Sequence, residues 1–168
     1  ARYADSNGYT IDGPRIMWPY RDWVIDAVNR DLPFDQFTIE QLAGDMLPNA
    51  TQTQLVATGF QRCNITTNEG GVIEKEVEEI YAKDRAETLA TVWLGLTVGC
   101  ATCHDHKFDP IKQKDFYALG AFFRNTSQPV MDGNVYDTPP VMVVLDKEER
   151  QRWDVLNTSI AATRRELR

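Results

Sequence analysis

Apolar and polar positions along the chain follow a helical period almost throughout and a strand period in one place. Behind Pro19, which suits a first helical turn, Trp23, Val24, Ala27 and Val28 recur at i, i+1, i+4 and i+5, with Asp22 and Arg30 placed for the helix dipole. Leu32-Pro33 ends this helix. Asp35 can cap a second helix running to Gly44, and Thr51 or Thr53 a third running to Gly59, read as a C-terminal glycine. Cys63 to Gly71 is polar loop. From Glu74 a long pattern sets Val77, Ile80, Tyr81, Leu89, Val92, Trp93 and Leu96 on a recurring face and leads into Gly99-Cys100. Asp109-Pro110 interrupts the chain, and Gln113 to Arg124 is amphipathic with Phe116, Leu119, Phe122 and Phe123 inward. Gln128 to Pro140 is irregular, and Val141 to Leu145 is the one convincing strand. In the tail, Trp153, Leu156, Ile160, Thr163 and Leu167 alternate spacings of three and four, the heptad signature of a helix seeking a partner. A capping helix laid on the core and an intermolecular coiled coil both fit that pattern.

The expected fold is therefore mainly α: a helical domain with long irregular loops, at most a minor strand element, and a coiled-coil-like C-terminal helix. Residues 1–145 form the domain, and 146–168 read as the start of a further region of a longer polypeptide, the heptads being unfinished at Arg168. A length of 168 residues suits one domain, two at most. With 42% apolar and 26% charged residues, the composition excludes disordered and collagen-like classes. A formal net charge of −7 repels phosphate backbones and anionic lipid heads, so nucleic acid is not an expected partner. The most apolar run, Leu89 to Val98, is too short to cross a bilayer and carries Thr91 and Thr97, so no membrane span is expected. The chain opens at Ala1-Arg2-Tyr3 with neither a methionine nor a signal-peptide pattern, which suggests a removed leader or a fragment.

Chemistry concentrates at Cys100-Ala101-Thr102-Cys103-His104, which satisfies the Cys-x-x-Cys-His pattern of covalent haem c attachment. Two thiols three residues apart on one turn can reach the two vinyl groups of one porphyrin edge, and the next residue can bring an imidazole beneath the iron. Cys100 and Cys103 are then the thioether anchors of one covalent haem c per chain and His104 its axial ligand. Three other readings use the same residues. Zinc could be held by the two thiolates with His104 and His106, although four ligands within seven residues close a tetrahedron with difficulty. A redox dithiol normally follows a strand, whereas this one follows a helical segment. Buried structural thiols are the third.

His106 lies too close to His104 in sequence to reach the opposite porphyrin face and reads as a supporting group. Met131 and Met142 are the candidate sixth ligands, each equally readable as core. If neither ligates, the distal side is open to peroxide or a small substrate, with Arg85, Glu69 or His106 as polar neighbours. Three functions follow: a domain passing single electrons, a haem enzyme with an open distal site, and a metal-stapled structural or carbohydrate-interaction module without haem. Tyr9, Trp18 and Trp153 are the stacking residues for the last of these. Asp5, Asn7, Tyr9 and Asp12 form a turn rather than a calcium loop, since the glycine at position six and the glutamate at twelve are missing. Asn68-Glu69-Gly70-Gly71 would let a ligand approach the backbone closely, and Cys63 reads as a small buried hydrophobe.

The run from Gly95 to Ile111, with Cys100-Ala101-Thr102-Cys103-His104-Asp105-His106-Lys107-Phe108-Asp109-Pro110 at its centre, resembles the planctomycete cytochrome-type (PSCyt) domain family of unknown function. The resemblance extends to Ala1–Tyr9, Pro33–Asp45, Thr67–Gly71 and Gln113–Tyr117, covering roughly positions 1 to 125. It implies a large exported protein, periplasmic or at the cell surface, in which this domain neighbours a separate cytochrome c-like domain. It also implies a redox partner, either that cytochrome domain or another periplasmic redox protein, in a role coupled to oxidation of a polysaccharide-derived sugar. Homo- or hetero-oligomers through the C-terminal helix are a further expectation. The family has no settled reaction, so no catalytic residue carries over.

Overall fold

The computed structural model describes residues 2–9, 11–133 and 135–167; Ala1, Thr10, Asn134 and Arg168 lie outside the described residues, and with Arg168 the end of the heptad run. The fold is mainly helical, with no sheet among the described residues. Its elements are α1 (Trp18–Asn29), α2 (Phe34–Ala43), α3 (Gln52–Ala57), α4 (Glu74–Leu89), α5 (Gln113–Ala121) and α6 (Lys147–Glu166). Short 3₁₀ turns follow α2, follow α3, and carry Val98–Thr102.

Helix ends follow local chemistry. Pro19 stands in the first turn of α1, and the Thr51 hydroxyl accepts from Gln54 N while Gln54 Oε1 accepts from Thr51 N, closing a capping box on α3. Asp35 serves α2 from within its first turn, where the dipole favours it, and Pro33 occupies the cap position. Gly59 does not end a helix. It lies in a 3₁₀ turn where a Cβ would stand 2.7 Å from Tyr20 Cβ, so its missing side chain admits α1.

The apolar core divides into two clusters. In the first, Tyr20, Trp23 and Ala27 of α1 pack on Ala57, Phe60 and Cys63, with Phe37 of α2 stacked 5.5 Å from Trp23. In the second, Ala86 and Ala90 meet Val98, Ala101 and Phe116. Helix α4 does not run on to Cys100: it loosens into a π turn over Ala90–Leu94 and ends at Gly95, whose φ of 65° favours glycine. Trp93 thereby reaches the first cluster, edge-on to Phe60 at 4.7 Å, and donates its Nε1–H to the Thr38 hydroxyl at 2.7 Å. The expected inward residues Ile80, Val92 and Phe122 are instead exposed.

A buried polar layer joins the clusters to the N-terminal segment. Arg85, 2% exposed, stands on the α4 stripe with Val77 and Tyr81 and donates to Gln61 O (3.0 Å), Asn64 Oδ1 (3.1 Å) and Gln128 Oε1 (2.6 Å). Arg15 donates to the Arg62, Asn64 and Asn7 carbonyls and to the Thr66 hydroxyl. Cys63 is buried, as expected, and burial pushes its thiol up.

Two elements depart from the sequence reading. Val141–Leu145 takes no regular structure and pairs with no strand among the described residues; Gln52 Nε2 donates to Leu145 O at 3.0 Å instead. Helix α6 forms as expected, with a capping box between Asp146 and Glu149, but it is not laid on the core, for none of its described residues is buried. Trp153, Leu156 and Ile160 remain exposed along it. Arg150 of α6 hydrogen-bonds Gln52, which also holds the Leu145 carbonyl just before the helix.

Candidate functional site

The Cys100–His104 segment rides on a 3₁₀ turn whose inward side chains are small and apolar. Val98 and Ala101 are buried against Ala86, Ala90 and Phe116, so in a helix of three residues per turn Cys100 and Cys103 share a different, outward face. Both thiols are free and exposed, and His104 is exposed beside them. Gly99 lets the turn close on α4: a Cβ there would meet Glu87 Oε1 at 2.5 Å.

The turn is clamped to α5. Gln113 Nε2 and the Tyr117 hydroxyl both donate to Thr102 O, at 2.9 and 3.0 Å, and Gln113 N donates to Asp105 Oδ1 at 2.8 Å. Thr102 Oγ1 donates back to Gly99 O at 2.8 Å. His104 Nδ1 lies 2.7 Å from Asp105 O. A carbonyl only accepts, so this contact holds the proton on Nδ1 and leaves the Nε2 lone pair facing outward, the arrangement an imidazole ligand needs.

His106 has a different role. Its Nδ1 accepts from Asp109 N at 2.9 Å and Phe108 N at 3.3 Å, and its side chain is 6% exposed. With two N–H groups aimed at it, Nδ1 carries no proton, so the Asp109 carboxylate 3.2 Å away is a neighbour rather than an ion-pair partner. Together with His106 N donating to Ile111 O at 2.8 Å, these bonds fold the Asp109-Pro110 turn. The residue organises the loop behind the motif.

The other expected site residues are dispersed. Met131 is half-buried and bridges Thr67 through its backbone, while Met142 is exposed on the segment tied to α3. Neither belongs to the apolar cluster beneath the motif. Arg85 is committed within the core and is not a polar neighbour of the motif. Its register, four residues after Tyr81 and four before Leu89, was the signal that it belongs to the buried stripe. Trp18 and Trp153 are exposed. Beside Thr102 a groove of about 460 Å³ opens between α4 and α5, floored by Ala82, Phe116 and Gly120 and flanked by Ile80 and Tyr117. Sequence periodicity had not marked it, because it exists only where two helices separate.

Among the described residues, no three His, Cys, Asp or Glu side chains converge on a metal-sized point. A zinc staple needs such convergence. Covalent haem does not: the thiols bond to porphyrin carbons and only one imidazole reaches the iron. Two exposed thiols and one adjacent imidazole, Cys100, Cys103 and His104, are the groups that covalent haem c would require.

Fold and site together define a mainly helical domain that presents a Cys-x-x-Cys-His turn on its surface. Residues 1–128 match PSCyt2, a protein of unknown function (DUF1549), and the chain belongs to that family. No curated protein and no solved structure matches the chain. No described helix is long and apolar enough to cross a membrane.

Proposed function

We propose that this domain carries one covalent haem c and passes single electrons to a neighbouring cytochrome domain or another redox protein outside the cytoplasm. The observation that carries the reading is the motif's presentation: two free, exposed thiols on one face and an adjacent imidazole whose Nδ1–H is tied to Asp105 O. Bound there, haem would supply a reversible one-electron couple at its iron. Within the chain, Val98 and Ala101 anchor the turn, Asp105 O orients the imidazole, and Gln113 and Tyr117 hold the Thr102 carbonyl. Such bracing keeps the ligand from shifting when charge changes. Cys100, Cys103 and His104 are all exposed, so a group held by them would be open to a partner's approach.

The test is a pyridine haemochrome assay on chain produced with a haem c maturation system and then denatured. Haem retained at about one per chain, and lost when Cys100→Ser and Cys103→Ser are combined, supports the reading. Absence of retained haem in folded wild-type chain overturns it. A high-spin ferric spectrum with rapid cyanide binding would assign a haem enzyme in place of an electron carrier.

A further inference from the structure

Two segments that the haem motif does not use, the N-terminal turn and the loop after Asn64, meet around a cavity of about 200 Å³. At ~30 Å³ per water this is room for about seven waters, enough for one ring-sized group and far too little for a porphyrin. Its lining shares no residue with the Cys100–His104 turn. Asn7, Thr66 and Thr67 form a floor whose members are each more than nine-tenths buried. Tyr9 and Ile11, half-exposed and exposed, form an apolar wall, and Asn68 and Glu69 stand at the rim.

The cavity is built before any ligand arrives. Asn7 N donates to Gly13 O (2.9 Å), Tyr9 N to Asn7 Oδ1 (3.1 Å), Asp12 N to Tyr9 O (2.6 Å) and Thr66 N to Asn7 O (3.1 Å). Arg15 Nη2 donates to the Thr66 hydroxyl at 2.7 Å, which donates to Asp132 Oδ2 at 2.6 Å, so opposite charges balance beneath the floor. By contrast the Tyr9 hydroxyl and the Asn68 and Glu69 side chains, all lining the cavity, make no hydrogen bond among the described residues.

We infer that this cavity binds a neutral, hydroxyl-rich ring, a single sugar unit, with Tyr9 against the ring face and Asn68 and Glu69 taking its hydroxyls. The Glu69 carboxylate repels an anion. A cation would gain little from one solvent-exposed carboxylate over a charge-balanced floor. A pyranose offers what the lining matches: a C–H face for an aromatic ring, and paired hydroxyls for a planar carboxylate and amide.

Saturation-transfer NMR on the full chain tests this with methyl glucoside, methyl galactoside and methyl mannoside as probes, and glucosamine and glucuronate as charged counterparts. At least one neutral glycoside should bind, more tightly than either charged sugar. Tyr9→Ala and Glu69→Gln should each weaken it about tenfold or more, while Phe122→Ala, an exposed aromatic outside the cavity, should leave it unchanged. Binding by no neutral glycoside, binding that survives both variants, or tighter binding of glucosamine overturns the inference. Should Tyr9→Ala fail to fold by circular dichroism, Glu69→Gln decides alone, since that side chain has no partner to lose. Haem content enters none of these readouts, so the cavity and the redox site stand or fall separately.

Discussion

Replacing Arg85 by methionine isolates the contribution of the buried polar layer. The guanidinium is 2% exposed, and its three acceptors, Gln61 O, Asn64 Oδ1 and Gln128 Oε1, are all neutral. Burial brings its pKa from 12.5 down to about 10, which at ~1.4 kcal/mol per tenfold change is a cost of about 3 kcal/mol at neutral pH. Against this stand three hydrogen bonds from a charged donor, each worth about 1.5–3 kcal/mol, or about 4.5–9 together. The bonds win, and methionine, which fills similar volume without donating, should destabilise the fold by about 1.5–6 kcal/mol. At ~3 °C per kcal/mol for a chain of this size, the melting temperature should fall by about 10 °C. Urea unfolding followed by tryptophan fluorescence measures the difference directly. Arg85→Lys should not rescue, because one ammonium cannot span the three acceptors. A methionine variant within about 0.5 kcal/mol of wild type, or more stable, would refute the reasoning by showing that burying the charge outweighs its bonds.

Other substitutions probe close approaches and exposure. Gly44→Ala would place a Cβ 2.3 Å from the Gln54 backbone carbonyl and should cost about 1–3 kcal/mol, whereas Gly99→Ala meets only the mobile end of Glu87 and should cost under about 0.5, both read by thermal melting. In haem-free chain, Cys100 and Cys103 should react quickly with an aromatic disulfide reagent while Cys63 reacts only on unfolding. Because burial raises the Cys63 thiol above 9.0, the folded chain keeps a proton there that the unfolded chain has lost. Its stabilising share is full below pH 9 and declines above it, so the stability gap between wild type and Cys63→Ala should narrow as the pH rises through that window, measured by urea titration at successive pH values. Truncation after Asp146 should shift the melting temperature by less than about 2 °C, since α6 buries none of its described residues.

What could be read from the sequence alone is what neighbours in the chain decide. Pro19 starts α1, Thr51 with Gln54 caps α3, Asp146 with Glu149 caps α6, and the Cys100–His104 spacing defines one turn; each depends on groups within four residues of one another. Period alone could not say that Val141–Leu145 stays unpaired, because a strand needs a distant partner to supply its hydrogen bonds. Nor could it assign Arg85 to the core, where acceptors from residues 61, 64 and 128 make burial of a charge tolerable. The heptads announced a helix but not its open face, and the motif announced two histidines without dividing their roles between a free Nε2 and a folded loop. Only tertiary packing brings Tyr9 to Glu69 around one cavity, since closing the loop between them is bought by contacts that neither segment makes by itself.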